Sequence, residues 1–227
     1  MPDQTAGPSF RDLTLGAFVD ELASAAPVPG GGSASAVAAS LGGALVAMVA
    51  SLSEGRPKYA AHADLHRRSH EVGQRLAARF LHLADEDADA YADFAAAMKL
   101  PKGTDDEREA RGAALRIAAR RAAEVPMLTV EACLELVATA ESLVGRSNVN
   151  ASSHLDVATL LGEAAARGAA AKVLINLPSV DDPSYAGETT AKVMSLVDSV
   201  EEIAATVHAM VRSGEAREPL EPEPTRP

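Results

Sequence analysis

The chain is poor in the residues that make sticky, reactive or nucleic-acid-binding surfaces. Among its 227 residues there is no tryptophan, and there are three tyrosines, four phenylalanines and a single cysteine. One cysteine excludes an intramolecular disulfide. Cys133 lies within an apolar helical pattern with no local catalytic partner, so it reads as a small buried hydrophobe. Few aromatics exclude a base-stacking platform. Basic residues are outnumbered, 21 against 32 acidic, and the net charge of −11 repels the phosphates of nucleic acid and anionic membrane. No basic-then-apolar leader opens the sequence, which predicts a cytoplasmic protein. No stretch alternates with a period of two and none repeats at a solenoid period, so an all-α domain is expected.

What is present centres on Pro27–Ser53, PVPGGGSASAVAASLGGALVAMVASLS, which carries no charged side chain. Gly30, Gly31 and Gly32 permit close backbone approaches that a Cβ would forbid. Ser33 follows as the expected N-cap, and the alanine-rich run to Ser53 predicts a helix. Its length suits a membrane span, yet it is mostly Ala, Gly and Ser and has no flanking aromatic anchors. Small residues on every face suit a helix buried among close neighbours, and this one is expected to be the most buried of the bundle. The glycines before a helix can cradle an anion. A P-loop is excluded because Lys-Ser/Thr is missing, and a dinucleotide fingerprint because no strand precedes.

Around this stretch the sequence predicts a flexible arm at 1–12, a single helical domain at 13–212 and a disordered tail at 213–227. Thr14 caps a first helix, and Thr104 with Glu107 forms a capping-box pattern. Pro126 is expected to kink or restart the helix that follows. Ser152 or Ser153 is expected to cap the next. Between Tyr59 and Met98, the residues Leu65, Val72, Leu76, Phe80, Leu83, Tyr91, Phe94 and Met98 fall within an arc of roughly 100°. His62, His66 and His70 recur every four residues, yet no Cys or second His pair completes a metal site. A polar flank is the expected role. Asp87 sits four residues after Leu83 and four before Tyr91, near the middle of the apolar seam. A carboxylate there needs a hydrogen bond, a cation or a proton, which marks either a structural acid or a site acid.

Four stretches, LTLGAFVDELASAAPVPGGGSASA, DADAYADFAAAMKLPK, SNVNASSHLDVATL and KVLINL, together resemble the cyclodeaminase/cyclohydrolase family. The resemblance runs from about Leu13 to Val211. It implies an all-helical homodimer acting on a one-carbon tetrahydrofolate derivative, with no metal, redox cofactor, nucleic acid or membrane involved. It places the catalytic acid/base on Asp87. His154 stands where the family usually has Asp, and Lys172 where it tends to have Asn, so His154 is expected as a substitute proton carrier. Substrate contacts are expected from Gly30, Gly31, Gly32, Ser33, Lys102, Asn148, Lys172 and Asn176, with Arg56 or Lys58 as further cations for the glutamate tail. A cyclohydrolase is expected first, since no formiminotransferase domain is attached, and a cyclodeaminase second. A non-catalytic helical scaffold is the alternative from another class.

Overall fold

A computed structural model describes residues 9–220. Six α-helices make up the domain: α1 (Leu15–Leu22), α2 (Gly31–Ser53), α3 (Ala63–Met98), α4 (Asp105–Leu143), α5 (Ser152–Asn176) and α6 (Pro183–Ser213). Short 3-10 turns precede or link several of them, and the described residues contain no strand. The helix starts follow local chemistry. Thr14 Oγ1 accepts from the Ala17 amide at 3.1 Å. Thr104 and Glu107 complete the capping box, the hydroxyl taking the Glu107 amide and the carboxylate taking the Thr104 amide. Asp182 caps α6 by accepting from the Tyr185 amide at 3.0 Å.

Two other starts differ from expectation. α2 begins three residues early, with Gly30 as N-cap and no side-chain cap bond, so Ser33 is carried inside the helix and its hydroxyl is released for another use. α5 is preceded by a 3-10 turn, its N-cap is Ala151, and Ser152 Oγ turns back to the Val149 carbonyl.

α4 also runs unbroken through Pro126. A proline inside a helix strips the amide that the carbonyl four residues earlier would accept. Here that carbonyl belongs to Ala122, and Asn176 Nδ2 donates to it at 2.8 Å from the end of α5. The same amide group also donates to the Lys172 carbonyl at 2.9 Å.

The packing depends on α2, which lies most extensively against α3 and α5. At the α2–α3 crossing the backbones nearly touch. A Cβ on Gly73 would stand 2.7 Å from both the Ala47 amide nitrogen and the Gly43 carbonyl oxygen. Ser40 Oγ donates to the Ala77 carbonyl at 2.9 Å across the same seam. On the other side, Gly42 lies against the Ala158 carbonyl and Gly168 against Ser35, so α5 runs antiparallel to α2. The core between them holds Val46, Val49, Leu76, Phe80, Leu136 and Leu155, all fully buried. α2 is nevertheless not covered all round. Leu41 is 54 % exposed and Met48 and Leu52 share its face, while α5 alongside exposes Val157 and Leu160.

Both ends of the described chain are pinned where looseness was expected. Ser9 Oγ and the Phe10 amide donate to Asp85 at 2.6 and 2.8 Å, and Phe10 meets Phe18 edge-on. At the other end, the Arg217 amide donates to the Gly145 carbonyl at 2.9 Å. The Arg217 guanidinium reaches Glu141 Oε1 at 2.6 Å, and Arg146 Nε donates to the Glu218 carbonyl at 2.6 Å. Gly145 has φ +75°, and a Cβ there would stand 2.7 Å from the Glu215 carbonyl oxygen, so this docking requires glycine. The tail composition is polar enough to predict disorder, yet specific charge-assisted bonds hold its first part. Residues 1–8 of the expected arm and 221–227 of the expected tail lie outside the described residues.

Cys133 is fully buried in α4, and burial pushes its thiol up to about 12. The native protein is therefore expected to resist a thiol reagent at pH 8 and to react stoichiometrically once unfolded; rapid native labelling counts against this packing. The linkage has a definite sign. Because the folded thiol holds its proton above the ordinary thiol value of 9.0, its contribution to stability is present below pH 9 and is lost progressively between pH 9 and about 12.

Candidate active site

Asp87 is positioned by the helical phase of α3. Its face points at the start of α2 because Leu83 and Ala84, one turn earlier, are buried in the core. The carboxylate reaches into the space that the missing Gly32 side chain leaves open; a Cβ there would collide with both Asp87 oxygens. Ser33 Oγ lies 3.1 Å from Asp87 Oδ2 and 3.2 Å from the Ala84 carbonyl oxygen. Gly30 supplies no side-chain cap, so the first amides of α2 are left without helix partners at this end. A helix N-terminus presents positive partial charge, so negative charge is favoured there. Among the described residues no cationic nitrogen lies within 4.0 Å of the Asp87 carboxylate.

Past Asp87 the α3 seam leaves the core. Tyr91 is 40 % and Met98 51 % exposed, and Phe94 is half-buried beside them. All three lie on the apolar arc that the sequence shows, and period alone does not say which part of a long seam finds a neighbour. The chain thus has a half-buried carboxylate at the head of an exposed aromatic strip, beside an uncapped helix start.

The other expected site residues divide by their level along α2. Gly168 meets Ser35; one turn further on α5 is Lys172, half-buried and level with Gly31 one turn earlier on α2. Lys172 therefore stands at the Asp87 end. Asn176 lies at this end too, but both of its donated bonds go to backbone carbonyls, Ala122 and Lys172. His154, four residues before Ala158, is level with about Val46, some 20 Å down α2 from Ser33, so the two expected proton carriers are not neighbours within one chain. Lys102 is exposed beyond the end of α3, more than about 16 Å along that helix from Asp87. Asn148 is at the opposite pole, its amide donating to Ser53 Oγ at 2.8 Å and its Oδ1 capping the turn at Asn150. Arg56 and Lys58 follow Ser53 at that same pole.

His62, at the end of the 3-10 turn before α3, and His66 and His70 of α3 do not form a polar flank together. His66 is buried and its Nε2 donates to the Arg146 carbonyl at 2.9 Å. Its Nδ1 is buried without a hydrogen-bond partner among the described residues. His70 Nδ1 lies 2.8 Å from Ser51 Oγ. Burial first, then the charges of His66 and Arg146, hold His62 below its usual range against the opposing pull of Glu218. No group of three His, Cys, Asp or Glu side chains converges as a metal site among the described residues.

The family model described as formiminotransferase-cyclodeaminase matches residues 14–195. The chain belongs to that family. It is 34 % identical to the methenyltetrahydrofolate cyclohydrolase of Methylorubrum extorquens over 201 residues, covering 88 % of this chain and 96 % of that one. It is also 34 % identical over 207 residues to the formimidoyltransferase-cyclodeaminase of Rattus norvegicus, of which it spans 38 %. The crystal structure of formiminotetrahydrofolate cyclodeaminase from Thermotoga maritima superimposes with a TM-score of 0.81 at 25 % identity, covering 89 % of this chain and 98 % of that one. The all-α single domain is thus the family's fold.

Proposed function

We propose that this family member hydrolyses 5,10-methenyltetrahydrofolate to 10-formyltetrahydrofolate, with Asp87 as acid and base. The observation that carries the reading is the Asp87 carboxylate, hydrogen-bonded by Ser33 and facing the uncapped start of α2. Similarity to a cyclohydrolase along 96 % of that protein's length supports the choice of substrate. Water attacks the bridging carbon, forming a C–O bond, and the bond to one folate nitrogen breaks. Of the two water protons, one ends on the leaving nitrogen and the other is released. The carbon keeps its oxidation state, so the chemistry calls for no redox partner. Asp87 takes a proton as the oxygen attacks and returns one to the nitrogen as it leaves. The flat ring system lies along Tyr91 and Phe94, and Lys172 meets an anionic group of the substrate.

A second reading, cyclodeamination of a formimino-folate with release of ammonia, is favoured by the likeness to the Thermotoga maritima and Rattus norvegicus proteins. Both reactions make the same proton demands on one carboxylate. A spectrophotometric assay on each folate substrate with purified protein separates them, and turnover of neither removes the enzymatic reading.

We further propose that the domain works as a homodimer. The apolar stripe of Leu41, Met48 and Leu52, with Val157 and Leu160 of α5, is a face that a second copy covers with the same residues. Light scattering at micromolar concentration is expected to give a dimer mass, and Leu41→Glu with Leu160→Glu a monomer mass. A wild-type monomer removes the proposal.

A further inference from the structure

Ser33 has one hydroxyl hydrogen and two acceptors within reach, Asp87 Oδ2 at 3.1 Å and the Ala84 carbonyl oxygen at 3.2 Å. It is 0 % exposed, so it does not touch substrate from this position. We infer that Ser33 is a positioning residue, a two-way hydrogen-bond partner that holds the Asp87 carboxyl in one orientation through both of its protonation states. The inference rests on the reading of Asp87 as the acid and base.

An ionised carboxylate only accepts, and a protonated one also donates. While Asp87 is ionised, the Ser33 hydroxyl donates to Oδ2. The Ala84 carbonyl loses nothing by this, because it already lies within a continuous helix. When Oδ2 carries the proton, Asp87 donates to Ser33 Oγ, and the Ser33 hydrogen swings to Ala84. When the proton rides on Oδ1 instead, the first arrangement simply persists. In each case no buried polar atom is orphaned, and the carboxyl does not rotate between taking a proton from water and returning it to nitrogen.

Alternative partners are scarce on this side. α2 carries no charged side chain from Gly31 to Ser53, so what it brings to Asp87 is Ser33 and the Gly32 gap. On α3 the charges adjacent in sequence, Asp85, Glu86 and Asp89, are all acidic. Asp85 is engaged by Ser9 and Phe10, and Glu86 pairs with His82 at 3.3 Å. From α5, Lys172 stands at this end without an ion-pair partner among the described residues. From α4, Arg121 is paired with Asp93. The serine is therefore the group that meets the carboxylate from within the protein.

The test combines kinetics with a readout that needs no substrate. Ser33→Ala is expected to lower kcat by roughly 10–100-fold with KM within about twofold, because it removes orientation at the reacting group rather than a substrate contact. Placed on Asp87→Asn, the same substitution is expected to add almost nothing, as for residues acting through one another. An equal loss in both backgrounds marks a merely structural serine and overturns the inference. Should Ser33→Ala fail to fold, Ser33→Cys, with nearly the same volume and a weak donor, is read in its place, and unchanged kcat there overturns it. The carboxyl carbon resonance of Asp87, assigned by its loss in Asp87→Asn, supplies the independent readout. A displaced or broadened resonance at fixed pH in the Ser33 variant supports the inference whichever folate is turned over. An unchanged resonance refutes it even if the enzyme proves to be the expected cyclohydrolase.

Discussion

Asp87→Asn is expected to lower turnover of 5,10-methenyltetrahydrofolate by roughly 10²–10⁴-fold, the usual range for a lost general acid/base, while the domain stays folded. The amide keeps the shape of the carboxylate in the space opened by Gly32, and it still offers an oxygen to the Ser33 hydroxyl. What it loses is the capacity to take a proton from water and give one to nitrogen. A circular-dichroism melt alongside the assay separates the two properties. Full turnover by the Asn variant removes Asp87 from the mechanism, and loss of the folded state instead makes it a structural acid. KM is expected to change little, since the ring contacts lie further along α3 at Tyr91 and Phe94.

The second large effect is expected in stability, at the crossing of α2 and α3. Gly73→Ala places a methyl group 2.7 Å from a backbone nitrogen and 2.7 Å from a backbone oxygen of α2. Backbone cannot swing aside as a side-chain tip can, so the helices must separate. Alanine gains about 0.5–1 kcal/mol over glycine within a helix, while overpacking costs typically about 1–3 kcal/mol. The second figure prevails, and at roughly 2–4 °C per kcal/mol for a domain of this size the melting temperature is expected to fall measurably. Gly187→Ala in α6 is the control, since a Cβ there meets nothing within 4 Å. It is expected to leave the melting temperature unchanged or raise it. Equal behaviour of the two variants contradicts the close crossing.

The sequence by itself determined the helical class, the capping of α1 by Thr14 and of α4 by Thr104, and the anomaly of Asp87. Each of these follows from spacing within a few turns, because helix phase and cap bonds are local. The glycines at the start of α2 were legible as a place of close approach, but what approaches Gly32 is the carboxylate of Asp87, from another helix. Tertiary structure alone decided the rest. An uncapped start at Gly30 moved Ser33 from cap to interior, and only there does its hydroxyl meet Asp87. Asn176 looked like a site residue until packing placed it under the carbonyl that Pro126 leaves free. His154 resembled a replacement proton carrier until the antiparallel run of α5 along α2 set it at the level of Val46. The α3 seam gave no sign of where burial stops, because period fixes the face of a helix and the neighbours fix its exposure. A hydrogen bond between distant positions has no imprint on local pattern, so the partners of Ser33, Asn176 and Arg217 came into view only when the helices were packed.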